Sequence, residues 1–87
     1  MRLTKTEQRL LDTARSSHNG RASVSSGVGR GPKGGAIKYG MRDREAVTSL
    51  RNKGLIRIVD HFRYANASRG FTVHETDVTF EIIKEES

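Results

Sequence analysis

Residues 27–40 read GVGRGPKGGAIKYG, and no other stretch restricts so strongly what this chain can fold into. Six of the fourteen residues are glycine, three are basic and none is acidic. Each glycine disfavours a helix by about 1 kcal/mol relative to alanine, and the proline by about 3 kcal/mol. The middle of the chain is therefore a poor helix. Helices belong on either side of it, and the segment itself must be a hairpin or a loop. Arg21–Ser25 can form a short strand, Ala36–Tyr39 its partner, and the intervening glycines a mobile tip.

At 87 residues the chain has room for one domain with a small core. It has no cysteine, so neither a disulfide framework nor a thiolate metal site is expected. No leader-like or long apolar run stands out, and a cytoplasmic protein without a membrane segment is expected. The net charge is +6 and unevenly spread. Residues 13–42 hold six basic side chains and no acid, whereas residues 75–87 have a net charge of −4. A thirty-residue window without acids attracts polyanions, of which nucleic acid is the commonest in a cell.

A first helix is predicted over residues 5–17. Thr4 and Glu7 have capping-box spacing, and Leu10, Leu11 and Ala14 share a face. A second helix opens at Arg42-Asp43-Arg44-Glu45, buries Ala46, Val47 and Leu50, and stops at Gly54. Its other face presents Arg44, Thr48 and Arg51. Leu55–Val59 and Val78–Ile83 read as antiparallel strands. Residues 60–77 between them read as a long basic wing. Residues 84–87 read as an acidic, solvated tail.

Several chemistries fit poorly. Gly29–Gly34 matches G-x-G-x-x-G, but a proline interrupts it and no helix opens from it, so a dinucleotide fingerprint is rejected. No Gly-Lys-Ser/Thr completes a P-loop. His18, His61 and His74 lack ligand spacing; at most His61 and His74 face each other across the wing, without a third ligand. Glu7, Asp12, Asp43, Glu45 and Asp60 read as caps and solvated charges, and no serine is paired with a base. No enzyme, metal or cofactor is expected.

The run Arg44-Glu45-Ala46-Val47-Thr48-Ser49-Leu50-Arg51-Asn52-Lys53-Gly54-Leu55-Ile56 resembles the end of a recognition helix entering the wing of winged helix-turn-helix proteins. The resemblance covers about residues 42–83. It implies an α+β, winged-helix-like fold with the glycine-rich hairpin or loop (20–40) in place of the second helix. More loosely, Leu3–Leu11 together with Asn52–Ile56 is similar to the YjhX-type family of short bacterial proteins, which are described as toxins.

The resemblance to winged helices implies a small double-stranded-DNA-binding protein, such as a bacterial, phage or plasmid regulator. Arg44, Thr48, Arg51 and Asn52 would read the major groove. His61, Arg63, Tyr64 and Arg69 would meet the backbone or minor groove, and Arg30, Lys33, Lys38 and Arg42 would contact phosphates. The alternative is a winged-helix module that binds a protein partner, as an inhibitor or toxin of a host machine. RNA is a third option, although aromatic side chains for stacking are sparse around residues 27–35. A homodimer through the first helix is expected, because Leu3, Leu10 and Leu11 exceed what one short helix needs.

Overall fold

The computed structural model describes residues 2–83. The expected acidic tail, 84–87, lies outside them. The order of elements is α1 (Lys5–Ser16), β1 (Arg21–Arg30), β2 (Ala36–Tyr39), α2 (Met41–Asn52), β3 (Ile56–Ser68) and β4 (Phe71–Ile82). The fold is α+β: two helices lie against one four-stranded antiparallel sheet of order β2-β1-β4-β3.

The capping box forms at the start of α1. The Thr4 hydroxyl accepts from the Glu7 amide at 3.1 Å, and the Thr4 amide donates to Glu7 Oε1 at 2.9 Å. α2 has no side-chain cap. It follows Gly40, whose φ of 69° is left-handed and whose Cα lies so close to β1 that a Cβ would fall 2.1 Å from the Ser25 carbonyl oxygen. The core is where the two helices meet the sheet. Leu10, Leu11 and Ala14 of α1 and Ala46, Val47 and Leu50 of α2 pack with Val24, Ile56, Val78 and Phe80 of the strands. Leu10 and Leu11 are thus used within the chain's own core, and with them goes the argument for a surplus of leucine on α1.

Glu7 departs from the expected solvated cap. It is 2% exposed and receives hydrogen bonds from Ser49 Oγ at 2.9 Å and Lys53 Nζ at 2.7 Å, so it ties α1 to α2. These donors, the lysine above all, hold its carboxyl down at about pKa 2.

Two strand expectations change. β1 is not the short segment 21–25 paired with 36–39. It runs to Arg30, its outer half pairs with β2 (Gly27↔Tyr39 to Arg30↔Ala36), and its whole length pairs with β4. Glycine's poor strand propensity hides this. At Gly27 and Gly29 a side chain is what would fail. The Tyr39 ring lies over Gly27, 2.4 Å from where a Cβ would sit, and the Thr72 carbonyl oxygen lies 2.0 Å from the Cβ position of Gly29. The expected wing is likewise not a long loop. β3 and β4 pair continuously from Ile56↔Ile82 to Ser68↔Phe71 and join through Arg69-Gly70, both at positive φ (51° and 84°). Such angles suit a two-residue hairpin turn of the primed type.

Candidate nucleic-acid interface

In a strand, successive side chains point to opposite faces. Val24, Ser26, Thr76, Val78 and Phe80 are buried, which marks the face covered by the helices. The register then assigns every other position. On β1, β2 and β4 the helix-side face carries Val28, Arg30, Lys38, Thr72 and His74; the other face carries Tyr39, Glu75, Asp77 and Glu81.

On β3 the assignment turns on one residue. Ile58 pairs with Phe80 and Asp60 with Thr79, so Val59 is an extra residue, a β-bulge. Before it, even-numbered residues such as Ile56 face the helices; beyond it, odd-numbered ones do. The bulge therefore puts His61, Arg63 and Ala65 on the helix side and Asp60, Phe62, Tyr64 and Asn66 on the other.

The outcome is a division of charge. All four strand carboxylates (Asp60, Glu75, Asp77, Glu81) lie on the face away from the helices, while Arg30, Lys38, His61, Arg63 and His74 lie on the helix side. Beyond the helices this side forms a cleft of about 540 Å³ lined by Val28, Arg44, Arg63, Ala65, His74 and Thr76, with Tyr64 and Glu75, whose side chains the register turns to the other face, at its border. Arg44 reaches it from α2, so helix and sheet contribute one arginine each.

Ion pairing follows the same division. Arg9, Arg15, Arg21, Lys53 and Arg57 are each bonded to a carboxylate. Among the described residues, none of Arg30, Lys33, Lys38, Arg42, Arg44, Arg51, Arg63 and Arg69 is. The cations singled out from sequence thus have no acid beside them, as is also true of Arg2 and Lys5 among the described residues.

The expected residues fall into four places. Arg44 and Arg63 line the cleft, and Arg30 and Lys38 lie on the same face of the sheet. Arg42, Thr48, Arg51 and Asn52 are exposed on α2. Lys33 and Arg69 stand at two hairpin tips that touch each other, since a Cβ on Gly70 would lie 2.9 Å from that of Pro32. Tyr64 borders the same cleft, but the register turns its side chain to the other face. It points away from the helices, where burial and the carboxylates of Asp77 and Glu75 raise its pKa. His61 and His74 do not face each other, because His61 pairs with Val78 and His74 with Ala65; they share the helix-side face. His74 was not foreseen as part of this surface. Among the described residues no cluster of three potential metal ligands occurs, and no helix is long and apolar enough to cross a membrane.

No family model, no curated protein and no solved structure matches this chain.

Proposed function

We propose that this chain binds double-stranded DNA through the helix-side face of its sheet together with the exposed face of α2, as a small regulator built on a winged-helix-like plan. The reading rests on one observation: every strand carboxylate lies on the opposite face, and the arginines and lysine of this one have no acid partner among the described residues. Unneutralised cations on one surface exchange for the counterions condensed on DNA, which supplies affinity without sequence preference. The order α1-β1-β2-α2-β3-β4, with β4 between β1 and β3, is compatible with a winged-helix plan that carries an added strand β2. The hairpin β1–β2 then stands where a second helix would be expected. In this arrangement Thr48, Arg51 and Asn52 address base edges. Arg30, Lys38, Arg44 and Arg63 contact phosphates, and the tips with Lys33 and Arg69 reach furthest along the duplex.

Fluorescence anisotropy on random-sequence duplex across a salt series tests this. Neutralising about five phosphates gives a log–log slope of about −4 to −5. Arg44→Ala with Arg51→Ala should weaken binding. Absence of binding at low salt, or an unchanged affinity in that double variant, overturns the reading.

A further inference from the structure

The face away from the helices has its own composition. The chain has five aromatic residues, and Phe80 is fully buried in the core. The other four, Tyr39, Phe62, Tyr64 and Phe71, are exposed, and the register puts them all on this face. Phe62, 60% exposed, lies with its ring centroid 5.8 Å from that of Tyr64. An exposed aromatic group costs solubility and is usually kept for a partner.

Charge identifies the kind of partner. Glu81 is neutralised by Arg21 and Arg57, but among the described residues Asp60, Glu75 and Asp77 have no cation beside them. Glu75 is fixed at the centre of the aromatic set. It accepts from the Tyr39 hydroxyl, which reaches it across Gly27, and from Asn66 Nδ2 at 3.1 Å. Asp77 is oriented by Ser25 Oγ at 2.6 Å. A cleft of about 300 Å³ opens beside Glu75, between Tyr39, Asn66, Phe71 and Val73, with Arg69 at its tip end. A chain of net charge +6 has here gathered negative charge and aromatic surface into one place.

We propose that this face binds a lysine- or arginine-bearing extended segment of another protein. The cationic head groups lie against Glu75 and Asp77, at the end of the cleft away from Arg69, and the stems cover Tyr39, Phe62 and Tyr64. Aromatic faces attract such cations, and the aliphatic stems of lysine and arginine bury apolar surface while the head stays polar. Nucleic acid does not fit, because three uncompensated carboxylates repel phosphates. The inference does not depend on the DNA reading: one face can hold its ligand whether or not the other does.

The test is a titration of the isotope-labelled chain with a synthetic peptide of alternating lysine and threonine, followed by amide chemical shifts. The same peptide with glutamate for lysine is the control. Saturable shifts confined to Tyr64, Asn66, Val73, Glu75 and Asp77 are expected with the lysine peptide only. Glu75→Gln with Asp77→Asn should weaken binding about tenfold, and Arg63→Ala on the other face should leave it unchanged. Phe62→Lys, a change at an exposed position that should not disturb the fold, should abolish binding by repulsion. Absent shifts, shifts on the helix side, equal binding of the glutamate peptide, or full binding by Phe62→Lys overturns the proposal. So does self-association through this face in sedimentation of the chain alone, which would make a second copy the occupant.

Discussion

Glu7 shows how much one side chain can hold together. Its carboxylate closes the cap of α1 and receives Ser49 and Lys53 of the segment that ends α2, and Lys53 also donates to the Arg2 carbonyl at 3.2 Å. A carboxyl held at about 2 in the fold and at the usual 4.5 in the unfolded chain stabilises the fold fully above pH 4.5. That contribution is lost as the pH falls through 2. Glu75 and Glu81, also lowered, by Tyr39 and Asn66 and by Arg21 and Arg57 respectively, act in the same direction. Denaturant titrations between pH 7 and pH 2 should show stability falling below about pH 4.5, and Glu7→Gln should lower stability at pH 7 while flattening that fall. Leu50, with no exposed surface, is the other sensitive position. Leu50→Ala should cost about 2–5 kcal/mol, a large share of the roughly 5–15 kcal/mol typical of whole domains, and urea denaturation measures it.

Among the elements, the bulge at Val59 decides which face each wing residue joins. Were Val59 paired with Thr79 in a regular ladder, Arg63 and His61 would turn to the acidic face, and Phe62 and Tyr64 to the helix side. Deleting Val59 removes the extra residue and should join Ile58↔Phe80 directly to Asp60↔Thr79, leaving Arg63 opposite Thr76 and the slope of DNA binding against salt unchanged. Cross-strand nuclear Overhauser effects read the first outcome and anisotropy the second; loss of the Arg63–Thr76 pairing in this variant would mean that Val59 is not the residue that sets the register. This element also marks the limit of what the sequence discloses. α1 was legible because Thr4 and Glu7 are local and their spacing is chemically specific, and the helical core positions followed from period. The full length of β1 was not, because the need for glycine at 27 and 29 comes from Tyr39 and β4, which are distant in sequence. Arg30 and Lys38 were legible from an acid-free window, and Arg44 and Arg63 from the winged-helix resemblance. Their face was not, because an extra residue in a strand has no signature of its own in Ile58-Val59-Asp60. Tyr64 was grouped with Arg63 because residues 60–77 read as a wing tip; as neighbours in a strand the two point to opposite faces.

The whole molecule is an elongated sheet, 54 Å in its longest dimension, with helices on one end of one face. A small core secures that end, and the other end projects with both faces in solvent. The projecting part carries cations on one side and carboxylates with aromatic rings on the other, so a single thin layer offers two unlike surfaces. Charge of one sign spread over a broad surface steers a polyanion at long range, and salt weakens it. The central claim is that the helix-side surface is the DNA-binding one. It is tested most directly by comparing the salt slope of duplex binding for the unaltered chain and for Arg30→Ala, Lys38→Ala, Arg63→Ala in combination. The account predicts a slope that falls from about −4.5 to about −2, since each lost phosphate contact removes about 0.9. An unchanged slope in the triple variant, or no binding by the unaltered chain at low salt, would contradict it.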